Sequence, residues 1–244
     1  MNTETLISIG YYASSLGFLV ASWVTFDAFR KAGPSSLKTV LEYLIIGTGT
    51  FFVITIFQKL GADFFGITDQ AMDIWWHIMF YMAMVSYYFS FKTLADMGRA
   101  GNESMPVSSG GGAKVWGIIC AVLLVIIFLI PSYAAPWVNI YLASKLAELG
   151  AHHFVAFAIA GVVGAYLLSA KIFLGQVGRA IASPMIIAVW ALSLQHMWEL
   201  LNESWKVIVV TSNVGEGVEK IFLTVAAICV IYSALRLKAL AKAA

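Results

Sequence analysis

The chain has 244 residues, of which 61% are hydrophobic and only 11% are charged, and its mean hydropathy is +0.86. A soluble domain of ordinary composition has about 25% charged residues, so this composition excludes a soluble globular protein and predicts an integral membrane protein. The net charge of +2 is too small to indicate a nucleic-acid partner. The predicted partner is therefore the lipid bilayer.

Apolar runs along the chain predict an all-α, polytopic fold with seven transmembrane helices in a single domain, residues 1–244. A bilayer core about 30 Å thick requires roughly 20 apolar residues for each helix that crosses it. The predicted spans are 5–29, 38–60, 71–94, 114–135, 150–171, 181–203 and 219–240. Charged or Gly/Pro-containing connections separate them. This length leaves no room for a separate soluble domain.

The cations divide unequally between the two sides of this topology. The connections and chain end that follow spans one, three, five and seven carry eleven of the fifteen Lys and Arg residues. Because Lys and Arg are retained on the cytoplasmic side, this bias predicts an outside N-terminus and a cytoplasmic C-terminus in a multi-pass cell-membrane protein. On the inner side, Asp27 has a predicted partner in Arg30, three residues later.

Three connections between the spans carry predictions of their own. The long inner connection, residues 95–114, is rich in Gly and Ser and predicts a flexible loop. The outer segment 136–150 predicts an amphipathic helix in the membrane interface. Its apolar face would hold Trp137, Tyr141, Leu142, Leu146 and Leu149. The β-branched outer segment 204–217 predicts a small hairpin or a lid over the bundle.

Small residues at helical spacing predict close contacts between spans. Span five places Ala156, Ala160 and Gly164 four residues apart, and span two contains the sequence GTGT at 47–50. Small side chains let two helix backbones approach each other closely in a membrane. These ridges indicate helix packing within the bundle or against a partner subunit.

The ionisable residues within the predicted membrane region gather at its outer side. Span three places Asp73 and His77 four residues apart, and span six places His196 and Glu199 three residues apart. Residues at these spacings share one face of a helix. Since polar groups inside a membrane are costly, they usually face the bundle interior and mark functional sites.

The residue types of these pairs predict a metal or haem site. Imidazole nitrogens and carboxylate oxygens ligate zinc, copper and iron, and one helix can supply two such ligands. The predicted metal ligands are Asp73, His77, His153, His196 and Glu199. Alternatively, a b-type haem is bound, with His77 and His196 in its axial positions and tryptophans of spans three and six around the macrocycle. His153 is a further possible ligand.

A structural interpretation of the same residues competes with this prediction. His152 and His153 begin span five, where an amphipathic ring is well suited to anchoring a helix end in the interface. At most one of them is expected to face inward, because adjacent helical residues point about 100° apart. Asp73 and Glu199 could instead form ion pairs with Lys59 or Lys206, leaving neutral histidines.

The leading functional interpretation is redox chemistry or electron transfer at this outer site, with enzymatic activity left open. A second interpretation is a proton-coupled transporter or channel. It is weakened because a proton pathway must cross the whole membrane, and Glu42 is the one ionisable residue that the inner half offers to such a pathway. A third is an accessory subunit that packs on partner subunits of a larger membrane complex. A retinal pigment is excluded, since residues 221–235 contain no lysine.

Overall fold

The computed structural model describes residues 3–33, 35–65, 69–99, 111–129, 140–141 and 143–243. Within these ranges 92% of the residues are helical and there is no strand. The helices are α1 (Thr3–Lys31), α2 (Ser36–Phe65), α3 (Asp69–Arg99), α4 (Gly111–Leu129), α5 (Lys145–Glu148), α6 (Ala151–Ala170), α7 (Gln176–Glu199) and α8 (Ser212–Ala243). A 3₁₀ turn (Lys171–Phe173) continues α6, and a π-helical turn (Leu200–Ser204) continues α7.

Five of these helices, α1, α2, α6, α7 and α8, are long and apolar enough to cross a membrane. The chain is therefore all-helical over its described residues, and its composition is consistent with a multi-pass membrane protein. Helices α3 and α4 coincide with the other two predicted spans. In α4 the apolar stretch covers Gly111–Ile126, and residues 130–135 of the predicted fourth span lie outside the described ranges. Seven spans therefore stay a prediction.

Six helices pack in a closed ring in the order α1, α2, α3, α6, α7, α8, and α4 lies outside it against α2. The ring is closed by α1 and α8, which run in the same direction. Gly10 lies against Lys220 and Gly17 against Ala227, and Asp27 is 2.7 Å from Lys238. Helices α3 and α6 are also parallel, since Tyr81 contacts the first turn of α6 and Tyr88 contacts Tyr166 farther along.

Aromatic side chains fill the interior of the ring. The Phe51 ring of α2 stacks on Phe18 of α1 at a centroid distance of 4.8 Å and on Tyr87 of α3 at 5.8 Å. It also meets the edge of Phe80 at 5.8 Å. All four side chains are fully buried, so contacts of this kind, which favour offset or edge-on rings, hold three helices together.

Apolar side chains also cover the outside of the ring. Trp23 of α1, Ile118 of α4 and Val162 of α6 are 70%, 64% and 69% exposed, respectively. A soluble protein rarely exposes such continuous apolar surface, whereas a bilayer solvates it with acyl chains. The outer surface therefore agrees with the composition in indicating a lipid environment.

Both predicted small-residue ridges lie in helix contacts. Ala156 and Ala160 are fully buried, and Gly164 packs directly beneath the indole of Trp190. In α2, a Cβ atom added to Gly47 would lie 2.6 Å from the Tyr87 ring, while one added to Gly49 would lie at an ordinary 3.5 Å from Ser22. Helices α2 and α3 therefore approach closely only because position 47 has no side chain.

The prediction of a small hairpin in the outer connection before α8 is wrong. Residues 204–217 do not form a hairpin, because the π-helical turn ends at Ser204 and α8 begins at Ser212, before the predicted span. Between them, the Val207 and Ile208 amides both donate to the Leu201 carbonyl, which caps the end of α7. Of the predicted amphipathic helix, the described part contains only the short α5, and Trp137 and Leu142 lie outside the described residues.

Two predictions for the predicted inner side of the bundle also differ from the structure. Asp27 pairs with Lys31 at 2.6 Å and with Lys238 at 2.7 Å rather than with Arg30. Lys31, four residues later in α1, and Lys238, on the adjacent α8, both lie nearer to Asp27 than Arg30 does. The predicted inner loop is shorter than expected, since α3 continues to Arg99 and α4 begins at Gly111; residues 100–110 lie outside the described ranges.

We predict that Gly47→Ala destabilises the protein relative to Gly49→Ala. Alanine improves helix propensity by a similar amount at both positions, roughly 1 kcal/mol. At position 47 it also forces the buried Tyr87 ring to move, and overpacking of this kind costs about 1–3 kcal/mol. Thermal unfolding of both variants in the same detergent checks this, and equal midpoints would contradict the close α2–α3 contact.

Candidate metal centre

All four histidines of the chain meet at one end of the ring, where α3 and α6 begin and α7 ends. The His77 ring lies at their centre, with centroid distances of 4.8 Å to His152, 4.8 Å to His153 and 4.9 Å to His196. The structure therefore brings every predicted site residue into one group, which we call the histidine cluster. Its members are Asp73, His77, His152, His153, His196 and Glu199.

The His77 side chain is 2% exposed, and its hydrogen bonds define its tautomer. Its Nδ1 atom lies 2.7 Å from the main-chain oxygen of Asp73, one turn earlier in α3. A carbonyl oxygen only accepts hydrogen bonds, so Nδ1 carries the proton and Nε2 keeps a free lone pair. This Nε2 is buried and has no hydrogen-bond partner among the described residues.

His196 is held in the same way on the facing helix. Its Nδ1 atom lies 2.7 Å from Oε2 of Glu199, three residues later in α7. An ionised carboxylate accepts this hydrogen bond, which again leaves the lone pair on Nε2. The ring is completely buried, and Nε2 lacks a partner within the described part of the chain. The two unpartnered nitrogens therefore belong to different helices, in rings whose centroids are 4.9 Å apart.

The Glu199 carboxylate connects α7 to α6. Its Oε2 atom also lies 3.1 Å from Nδ1 of His153, and its Oε1 accepts a hydrogen bond of 2.9 Å from the Gln195 side chain. A buried carboxylate is stable only when donors compensate for its lost hydration, and here three N–H groups do so. His153 consequently directs its Nε2 away from Glu199, to a point 3.9 Å from Glu203.

His152 differs from the other three histidines because both of its ring nitrogens have partners. Nε2 lies 2.8 Å from Oδ2 of Asp73, and Nδ1 lies 3.0 Å from the hydroxyl of Tyr141. Burial raises the pKa of the Tyr141 phenol, which therefore stays protonated and can donate to Nδ1. The Tyr81 hydroxyl donates to the main-chain oxygen of His152. The contact of His152 with Asp73 therefore holds the Asp73 carboxylate in position.

Two overlapping sets of four residues could hold a metal ion, with one ligand atom from each residue and all four atoms within 4.8 Å of one another. One set is Asp73, His77, His152 and His153, and the other is His77, His153, His196 and Glu199. The second set is entirely buried. A histidine that binds a metal usually donates its other N–H to a carboxylate or carbonyl, as His77, His153 and His196 do here.

The charge of the cluster also suits a cation. When the imidazoles are neutral, Asp73 and Glu199 are two negative charges, and no lysine or arginine contacts either one among the described interactions. The competing pairing with Lys206 is therefore wrong for Glu199, whose partners are His153, His196 and Gln195. The side chain of Lys59 lies outside the described residues.

The packing gives no support to the predicted b-type haem. The ring centroids of His77 and His196 are only 4.9 Å apart. The centroids of the Trp76 and Phe80 rings lie 5.0 Å and 4.4 Å from that of His196. Two axial ligands must stand on opposite faces of a macrocycle. A haem between them would require α3 and α7 to separate. The buried cluster could hold a metal ion without such a separation.

Several features of the cluster were missed or misjudged from the sequence. The expectation that at most one of His152 and His153 faces inward is wrong, because both rings join the cluster. Their centroids are 4.1 Å apart, and they contact carboxylates on different helices. Gln195 was missed, although its position four residues before Glu199 is a detectable signal. Tyr141 carries no such signal, since it is distant from Asp73 in the chain and its contact with His152 depends on the path of the connection.

Comparison with known proteins identifies no relative. No protein-family model matches the chain, and neither a curated protein nor a solved structure is significantly similar to it. The function must therefore be inferred from the geometry of the cluster.

We predict that Glu199→Ala strongly destabilises the metal-free protein. The substitution leaves three buried N–H donors without their acceptor, which should lower the free energy of unfolding by about 3 kcal/mol. Glu203→Ala is the matched control, because its side chain is 51% exposed and its removal should have little effect. Thermal unfolding in detergent with a chelator present measures both. Equal losses would refute the central role of Glu199.

Proposed function

We propose that this chain is a seven-span membrane protein with its N-terminus outside and its C-terminus in the cytoplasm. The parallel directions of α1 and α8 support an odd number of crossings. The parallel directions of α3 and α6 support a crossing by α4 between them, since the chain must return to the cluster end before α6 begins. The bias of Lys and Arg toward the other end supports the orientation.

Cysteine labelling tests this topology in intact cells. In a background of Cys120→Ala and Cys229→Ala, Val209→Cys at the cluster end should react with a membrane-impermeant maleimide. Gly33→Cys, which is exposed at the opposite end, should react only after the membrane is permeabilised. Labelling of Gly33→Cys alone would show the reverse orientation, and labelling of both would refute the odd number of crossings.

We further propose that the cluster binds one divalent transition-metal ion through the Nε2 atoms of His77, His153 and His196. The observation that carries this proposal is the pair of buried, unpartnered Nε2 atoms on α3 and α7. A buried polar atom without a partner is destabilising, and a metal ion would satisfy both at once. Glu199 and Asp73 would then hold the imidazoles in place, although Glu199 belongs to the four residues that could ligate directly.

We infer that the bound ion serves redox chemistry or electron transfer. Imidazole ligands suit copper and iron as well as zinc. Trp76 and Phe80 pack against His196, and this apolar, buried setting controls solvent access and so tunes a redox potential. Three histidine ligands also leave a coordination position open for a small molecule.

One observation favours a second use of the ion. The Glu203 carboxylate lies 3.9 Å from Nε2 of His153, close to where an ion would be bound. A carboxylate beside a metal-bound water can act as its general base. A zinc ion at this site would therefore support hydrolysis rather than redox chemistry.

Proton transport has less support from the fold. Below the cluster, the ring interior is closed by Phe18, Phe51, Phe80 and Tyr87, all fully buried. A transported proton or ion needs a chain of polar groups across the membrane. At this level the described interior presents aromatic rings, and buried hydroxyls such as those of Thr48, Ser86 and Ser193 are engaged with main-chain oxygens.

Metal analysis of the purified protein tests the site. We expect a stoichiometric transition metal in the wild-type protein and in His152→Gln, because both nitrogens of His152 are already engaged. His196→Gln should lose the ion, since it removes one of the unpartnered Nε2 atoms. Loss in His152→Gln with retention in His196→Gln would assign the ion to the set that contains Asp73. A metal-free wild-type protein would refute the proposal.

The identity of the metal and its spectrum separate the two uses. Copper or iron with a reversible potential, followed by electron paramagnetic resonance, would support redox chemistry. Stoichiometric zinc alone would overturn it and favour hydrolysis.

A further inference from the structure

The two sets of four residues that could hold a metal ion differ in accessibility. We call them the outer set, which is Asp73, His77, His152 and His153, and the inner set, which is His77, His153, His196 and Glu199. In the outer set, the side chains of Asp73 and His152 are 39% and 12% exposed. Both lie near the start of their helices, α3 and α6, at one end of the ring. In the inner set, no side chain is more than 10% exposed.

Packing closes the inner set on other sides. The Trp76 and Phe80 rings pack against His196 on the side of the ring interior. On the side of α8, the Trp198 indole donates a hydrogen bond of 3.2 Å to the Gly215 carbonyl, which joins the end of α7 to the start of α8. An ion that comes from solvent therefore reaches the outer set first.

The Glu203 carboxylate offers a second approach, but it is less well equipped. Its side chain is 51% exposed and lies 3.9 Å from Nε2 of His153, so it brings one carboxylate near one imidazole. The outer set brings four ligand atoms within 4.8 Å of one another. Because an ion that loses its hydration must gain protein ligands in exchange, the outer set is the better route.

The two sets share His77 and His153, and this overlap connects the accessible position to the buried one. The His77 ring centroid lies 4.8 Å from that of His152 and 4.9 Å from that of His196. An ion that moves from the outer to the inner set therefore keeps two imidazole ligands and exchanges only the other two. Since an unpaired charge in an apolar interior is costly, the shared ligands lower the barrier to this transfer.

The hydrogen bonds of His152 allow it to bind an ion and to release it. Its Nε2 lies 2.8 Å from Oδ2 of Asp73, and its Nδ1 lies 3.0 Å from the Tyr141 hydroxyl. A hydroxyl both donates and accepts hydrogen bonds, so the neutral ring can carry its proton on either nitrogen. With the proton on Nδ1, the Nε2 lone pair is free for an ion beside Asp73. With the proton on Nε2, His152 donates to Asp73 instead.

We propose that the outer set is an entry position for a divalent transition-metal ion, which passes from the aqueous phase at the cluster end through Asp73 and His152 to the inner set. The Asp73 carboxylate attracts the hydrated cation, and imidazoles then replace its waters. This inference rests on the proposed metal site and adds the route by which that site is loaded. Asp73 and His152 serve metal exchange, whereas His196 belongs to the site where the ion stays.

Rapid-mixing kinetics with Co²⁺ tests the route on the full chain, purified in detergent and stripped of metal. Uptake is followed by the ligand-field absorption of bound Co²⁺, and release by its decay in excess chelator. We expect His152→Gln to slow uptake and release equally, by about tenfold or more, because loss of an entry ligand raises the barrier in both directions. The dissociation constant should stay that of the wild-type protein. His196→Gln should instead weaken binding itself.

Two further variants serve as a second test and as a control. Asp73→Asn keeps the main-chain oxygen that fixes His77 and should also slow uptake, so it decides the question if His152→Gln does not fold. Glu148→Gln removes an exposed carboxylate of α5 that belongs to neither set, and uptake should keep the wild-type rate.

The outcomes distinguish the entry position from the proposed metal site. Equal slowing of uptake and release in His152→Gln, or slower uptake in Asp73→Asn, with wild-type rates in Glu148→Gln, supports the entry position. Wild-type rates in both cluster variants overturn it, even when metal analysis finds a stoichiometric ion. Weaker binding by His152→Gln at an unchanged uptake rate also overturns it, because His152 would then be a permanent ligand. Greater slowing in Glu203→Gln would overturn it in favour of the other approach. A wild-type protein that binds no metal overturns both proposals.

Discussion

The Glu199 carboxylate is the interaction on which the cluster depends. It accepts hydrogen bonds from His153 of α6 and from Gln195 and His196 of its own helix. Burying an isolated carboxylate in so apolar an interior would cost much free energy. Glu199 can be buried there because three donors form hydrogen bonds to it. By fixing the Nδ1 protons of two imidazoles, Glu199 also fixes the direction of their Nε2 lone pairs.

Asp73 plays the corresponding part on the other side of the cluster. Its side chain and main-chain oxygen hold His77, and its second carboxylate oxygen holds His152. Each carboxylate thus orients two rings, and each joins α6 to a different neighbour. Two carboxylates and four imidazoles consequently join three helices at one end of the ring. At this end hydrogen bonds and ion pairs add to the apolar contacts that hold the rest of the ring together.

Local spacing was enough to predict the two halves of this arrangement. The pairs Asp73 with His77 and His196 with Glu199 share helical faces because a helix repeats every 3.6 residues. The positions of the helices followed from hydropathy, because apolar runs of membrane length have few alternatives to a helix. What spacing cannot supply is the rotation of one helix about its axis relative to its neighbours. That rotation brings both His152 and His153 into the cluster.

Long-range contacts account for the remaining errors. The partner of Asp27 depends on Lys238, which lies at the far end of the chain and is brought near by the packing of α1 on α8. The β-branched segment after α7 has the composition of a strand, but it is too short to find a pairing partner and instead caps α7 through Leu201. Intrinsic β preference is decided by neighbours more than by the backbone.

The contact between α1 and α8 has a consequence for how the protein is made. Helix α1 is synthesised before the other helices of the ring and can complete its packing only after α8 has been made, so the ring closes late. Contacts this distant in sequence raise the contact order and slow folding. During synthesis, the face of α1 that carries Gly10 and Gly17 therefore stays without its partner helix until α8 has been made.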